Sequence, residues 1–156
     1  MLEGMVFHDE MIRYYDFLGL EKCKQRHLQS YYSETDGYRR LCSYYMASHD
    51  RFIPETPMDR PAVIPSEWYR YAKTDVDNNT KMSAVKTGIN RWVTWETETK
   101  ELYERIVKEL HYMGNIADAY FVTGFVIDVN DELHEAKKTL ADLKAANYDL
   151  AVVINS

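Results

Sequence analysis

Glutamates recur in this chain where a helical core is expected to be apolar. Between Thr80 and Met113, one helical stripe advances in steps of three and four residues, and Glu96 occupies one of its positions. A buried carboxylate must be paired, protonated or bound to a metal. Glu34 interrupts a second stripe and Glu132 flanks a third. Carboxylate oxygens suit iron, manganese or zinc, so metal binding is the first chemical hypothesis.

Two histidines lie on the predicted inward faces as well. His8 falls on the stripe of the first predicted helix and His27 on that of the second. Each ring is a candidate metal ligand, and each is also interpretable as a core histidine bonded to a tyrosine or a glutamate. The carboxylates have an alternative of the same kind, in which they pair with Arg and Lys instead of a metal.

Apolar periodicity predicts an all-α fold with four helices. Gly19 and Gly114 are the expected helix stops. Prolines between residues 52 and 79 exclude a continuous helix there, so this segment is predicted to be a long, ordered crossover. The tail, 147–156, contains a short β-prone apolar run that is expected to dock on the helices or on another subunit. The predicted helices span about 5–17, 21–51, 80–113 and 116–146.

The connections between these helices predict a topology. Short turns make the first and last pairs antiparallel, and the long connection makes the second and third helices parallel, in one domain covering 1–156. His8 lies about twelve residues before the first turn and Glu34 about fourteen after it. Glu96 and Glu132 each lie eighteen residues from Gly114. The polar residues of each pair are therefore predicted to meet at matched heights.

A four-helix bundle with one long crossover resembles the ferritin-like superfamily. The resemblance implies a di-metal site that takes a carboxylate from the first helix, Glu-x-x-His from the second and fourth helices, and a lone glutamate from the third. In this chain Glu34 begins the second-helix motif, and Gly37 stands at the position of its histidine.

The third and fourth helices fit the same pattern in part. Glu132 begins the fourth-helix motif, and Glu135 stands at the position of its histidine. The lone third-helix carboxylate is Glu98 by its distance to Glu132, or Glu96 by periodicity. The resemblance implies iron or manganese as the metal. The complete set of candidate ligands is Glu34, Glu96, Glu98, Glu132, Glu135, His8 and His27.

Composition narrows the classes of partner. The net charge of −6 argues against nucleic acid, because phosphate binding needs clustered Lys and Arg. No run of eighteen apolar residues occurs, so no membrane span is expected. The N-terminus lacks a signal-peptide pattern. Cys23 and Cys42 are too far apart on one helix to pair within a subunit, which indicates a reduced, cytoplasmic protein.

Three functions compete at this point. The first is a ferritin-like protein that binds a divalent metal through mid-bundle carboxylates, with enzymatic activity left open. The second is a metal-free helical bundle that acts in interaction or oligomerisation, and the third is a bundle with a tyrosine-lined small-molecule site. A homodimer or another small homo-oligomer is expected.

Overall fold

The computed structural model describes residues 1–54, 63–66, 68, 75–149 and 151–152. These residues form four α-helices and no strand, which confirms the predicted all-α class for this part of the chain. The predicted helix ends agree with the observed ends to within three residues. The helices are α1 (Leu2–Leu18), α2 (Glu21–His49), α3 (Asn78–Tyr112) and α4 (Ile116–Ala145).

The chain divides into two compact units, the first covering Met1–Lys81 and the second Met82–Val152. In the first unit α1 and α2 form a helical hairpin. Gly19 ends α1 in the left-handed conformation, with φ 72°, which glycine adopts without a steric penalty. The backbone N–H of the next residue, Leu20, donates to the carbonyl oxygen of Tyr15 at 2.9 Å. The predicted stop at Gly19 is therefore confirmed.

The buried face of α1 is broader than the single periodic stripe on which His8 lies, which runs through Met5, His8, Ile12 and Tyr15. Met5 and Ile12 are only half-buried, and the face centres on Met11, which is fully buried. The wider face exists because two different segments pack on α1. Its buried residues are Gly4, Phe7, His8, Glu10, Met11, Tyr14, Tyr15 and Leu18.

The segment after α2 provides the second surface against α1. Trp68 stacks on Tyr14 with ring centroids 5.0 Å apart, and on Phe17 at 5.3 Å. Val63 is buried. These residues agree with the expectation of ordered structure in the 52–79 connection, most of which lies outside the described residues.

In the second unit α3 and α4 form a hairpin that turns at Gly114, with φ 74°. The N–H of Asn115 donates to the carbonyl oxygen of Leu110 at 2.8 Å, which closes the end of α3. The rings of Tyr103 and Phe125 meet across the hairpin, 6.2 Å apart. The core of this unit consists of Ala84, Val85, Ile89 and Trp92 from α3, and of Ala119, Phe125, Val129, Leu133, Ala136 and Leu143 from α4.

The start of α3 is fixed by a side-chain cap. The Oδ1 atom of Asp77 accepts a hydrogen bond from the backbone N–H of Thr80 at 2.7 Å. This bond also lowers the pKa of Asp77. We expect Asp77→Ala to lower the melting temperature by about 2–4 °C, as loss of an N-cap does in a protein of this size. Asp77→Asn retains the hydrogen-bond acceptor and should melt within a degree or so of the wild type. Equal melting temperatures for Asp77→Ala and Asp77→Asn would contradict a stabilising role for the cap.

Three further expectations concern the tail, the membrane and the cysteines. The β-prone interpretation of the tail is wrong at Ala151 and Val152, which are helical because Asp149 accepts the backbone N–H of both. The rest of the apolar run lies outside the described residues.

No helix in the described part of the chain combines the length and the apolar character that crossing a membrane requires. Both cysteines are free thiols on α2.

Candidate metal centre

Glu96 is the most deeply buried carboxylate of the second unit, with 1% of its surface exposed. The i,i+4 spacing on α3 brings the indole of Trp92 beside it. Trp92 Nε1–H donates to Glu96 Oε1 at 3.0 Å. Burial raises the pKa of Glu96 to about 7, and the hydrogen bond from Trp92 opposes this shift only in part. The group is therefore poised between the neutral form and the metal-binding anionic form near neutral pH.

Glu132 faces Glu96 from the other helix of the hairpin. A carboxylate oxygen of Glu132 lies within 4.8 Å of one of Glu96. Equal spacing from Gly114 predicted this proximity, since residues equidistant from a tight turn face each other in antiparallel helices. Glu132 is half-buried. The hairpin thus places two carboxylates close enough to share one cation.

The other two candidates of this unit point elsewhere. Glu98 and Glu135 are exposed. Of the two assignments for the third-helix carboxylate, periodicity therefore selects the buried one, Glu96, whereas the distance rule selects an exposed one, Glu98. Their position makes Glu98 and Glu135 suitable reference carboxylates for mutagenesis.

In the first unit, His8 and His27 lie directly against each other. Their Nδ1 atoms are 3.0 Å apart, so one ring donates a hydrogen bond to the other. Both rings are almost completely enclosed. Tyr15 stacks on His27 with centroids 5.4 Å apart, and Phe7 meets His8 edge-on at 5.2 Å. Both histidines are therefore core residues, and each ring has the other histidine as a hydrogen-bond partner, where the sequence suggested a tyrosine or a glutamate.

The environment of His27 keeps its ring neutral. Burial lowers the pKa of His27 well below its usual value, and the nearby His8 and Arg26 lower it further. The same enclosure raises the pKa of Tyr15 well above its usual value, mainly through burial. A neutral imidazole is the form that ligates metals. Its Nδ1 atom is, however, already engaged with His8.

Glu34 is not at the predicted height. We expected it level with His8, but its carboxylate lies against Gly4, one helical turn nearer the N-terminus. A Cβ atom on residue 4 would come within 2.6 Å of the Glu34 carboxyl carbon, so the absent side chain makes the room. The amino group of Met1 lies 3.7 Å from Glu34 Oε2. Glu34 therefore has a cationic neighbour, which is an amino group and not the Arg or Lys side chain that the metal-free interpretation names.

One buried carboxylate, Glu10, has a role that the sequence did not reveal. Glu10 Oε2 accepts the backbone N–H of Val63 at 2.9 Å. This bond ties the segment after α2 to α1. Glu10 lies three residues after Phe7 and four before Tyr14, so a stripe drawn through those two aromatic residues would have indicated its burial. Nothing in the sequence indicates Val63 as its partner.

The seven candidate ligands are thus divided between the units. The first unit contains the His8–His27 pair and Glu34, and the second contains the Glu96–Glu132 pair together with the exposed Glu98 and Glu135. Comparisons of the chain with protein-family models, with curated proteins and with solved structures return no match.

Proposed function

We propose that this protein is a ferritin-like metal-binding protein in which Glu96 and Glu132 hold a divalent cation. The observation that carries the proposal is the approach of a carboxylate oxygen of Glu96, on the buried face of α3, to within 4.8 Å of one of Glu132 on α4. Oxygens bind iron, manganese or magnesium at about 2.0–2.4 Å, so one ion between these two fits that separation. The two negative charges balance the charge of the ion.

The donor set determines which metals to test. Two carboxylates and no thiolate favour hard cations, which makes Fe²⁺ and Mn²⁺ the first choices. The ferritin-like resemblance points to the same two metals. The ion would also stabilise the charged form of Glu96, which burial alone disfavours. Binding is therefore expected to release a proton at pH 7 and below.

The test is metal content and affinity in protein prepared without a metal-affinity tag. We expect near-stoichiometric metal in the wild type by elemental analysis, and at least ~10-fold weaker binding of Mn²⁺ by Glu96→Gln or Glu132→Gln in equilibrium dialysis. Loss of an outer-shell partner alone already weakens metal binding by about 10–100-fold. Glutamine preserves the shape of the side chain and removes the charge.

Two matched variants, Glu98→Gln and Glu135→Gln, remove the same charge from exposed positions on the same helices. They should bind Mn²⁺ as the wild type does. Equal affinity in all four variants, with circular dichroism showing them folded, would contradict the assignment. Absence of bound metal from the wild type even after incubation with Fe²⁺ and Mn²⁺ would instead favour the metal-free interaction protein.

A further inference from the structure

The turn of the α3–α4 hairpin carries a group of exposed apolar side chains. Tyr112 is 94% exposed, Met113 and Ile116 are each 67% exposed, and Tyr120 is 83% exposed. The backbone beneath them is well fixed, since Asn115 Nδ2 donates to Asp118 Oδ2 at 2.6 Å in addition to the backbone bond that closes α3. The side chains are thus presented by a rigid turn.

The exposed surface continues along α4. Ile116, Tyr120 and Ile127 are spaced by four and seven residues, which places them on one face of the helix. Ile127 is 59% exposed. The opposite face of α4 is the buried one, through Ala119, Phe125 and Val129. The first half of α4 therefore has two apolar faces, and its own chain covers only one of them in the described structure.

Gly124 lies on this exposed face, between Tyr120 and Ile127. No atom of the described residues lies within 4 Å of the position that a Cβ would take there. Packing among the described residues therefore gives no reason for a glycine, although glycine weakens a helix relative to alanine. A glycine on a helix surface allows a second backbone to approach closely. The α4 patch is defined here as Tyr112, Met113, Ile116, Tyr120, Gly124 and Ile127.

The size and charge of the α4 patch fit a copy of itself. An aromatic side chain carries about 150–250 Å² of surface, so the exposed side chains of the patch present on the order of 600 Å². A standard interface buries about 800 Å² per partner, and the polar residues around the patch supply a rim. No side chain of the patch is charged. The patch side chains themselves therefore add no like-charge repulsion when two copies meet face to face.

We propose that the α4 patch is the interface of a symmetric homodimer. The two α4 helices run antiparallel across a two-fold axis. Tyr120 of each copy packs over Gly124 of the other, and Ile116 of each copy meets Ile127 of the other. Because Gly124 has no side chain, it leaves space for the ring of Tyr120 from the other copy. This pairing explains why an exposed glycine and an exposed tyrosine lie on the same face of α4.

Sedimentation equilibrium between about 1 and 100 μM, concentrations that detect dimers with a Kd in the micromolar range or below, tests this interface. We expect dimers in the wild type and at least ~10-fold weaker association for Tyr120→Glu, because central tyrosines dominate interface energetics. Gly124→Leu should weaken the dimer similarly while melting at the same or a higher temperature, since the isolated chain has room for leucine. Tyr32→Glu, at an exposed tyrosine of α2, is the matched control and should dimerise normally.

Two results would overturn the proposal. A wild type that stays monomeric at about 100 μM would show that a second copy does not cover the α4 patch. A dimer that withstands both Tyr120→Glu and Gly124→Leu would place the interface elsewhere. Both results are independent of metal content, so the interface and the metal site are tested separately.

Discussion

In the presence of a chelator, the wild type should lose about 3 kcal/mol of unfolding free energy relative to Glu96→Gln as the pH rises from 4.5 to 7. Glu96 has a pKa of about 7 in the folded protein, against 4.5 for an ordinary glutamate. Across this window the folded state holds a proton that the unfolded chain releases. Stability therefore falls with rising pH, and glutamine, which cannot ionise, does not show the fall.

Urea denaturation of both proteins at several pH values measures this difference. At pH 4 the two should be nearly equally stable, because a protonated glutamate and a glutamine are both neutral. Glu98→Gln, two residues further along, is the matched control for loss of one carboxylate. Parallel profiles of the wild type and Glu96→Gln from pH 4.5 to 7 would show that burial does not hold the proton on Glu96.

The His8–His27 pair should produce the second large effect. His27→Leu removes one partner of a buried hydrogen bond, which is expected to cost about 1–3 kcal/mol at pH 8. The double variant His8→Leu/His27→Leu removes both partners and should cost less than the sum of the single changes, with a coupling of about 0.5–3 kcal/mol. Additive costs in this double-mutant cycle would show that the contact contributes nothing to stability.

The same histidine pair should also make the stability of the protein depend on pH under acidic conditions. The pKa of His27 is lowered well below 6.5 in the folded protein, so below pH 6.5 the unfolded chain binds a proton that the folded chain excludes. The contribution of His27 to the free energy of unfolding is complete above pH 6.5. It decreases as the pH is lowered below 6.5, by up to about 1.4 kcal/mol per pH unit. His27→Leu should lack this fall, whereas replacement of the exposed His134 by leucine should leave it in place. The measurement is urea denaturation between pH 4 and 8.

The second unit was largely predictable because its determinants are local. Gly114 fixes the turn, and residues equally spaced from it in sequence must face each other in two straight helices. Counting therefore placed Glu96 opposite Glu132, and heptad periodicity distinguished the buried Glu96 from the exposed Glu98. Both inferences require only helix geometry and one reliable stop.

The first unit was less predictable because its contacts depend on non-local partners. The rotation of α1 is set by α2 and also by Val63 and Trp68, which no periodic pattern in α1 encodes. The position of Glu34 depends on the space above Gly4, a property of two side chains far apart in sequence. Local sequence patterns determine that a segment forms a helix. The face of the helix that is buried depends on the other segments that pack against it.

The bond between the two histidine rings also has a consequence for where their hydrogens lie. A neutral imidazole carries one N–H, and an Nδ1···Nδ1 bond of 3.0 Å requires this hydrogen on Nδ1 of one ring and its absence from Nδ1 of the other. When both rings are neutral they are therefore opposite tautomers, one with a bare Nε2 and one with an Nε2–H. Exchange of roles between His8 and His27 requires a proton at both ends of the pair to move, so the tautomeric state of either ring dictates that of the other.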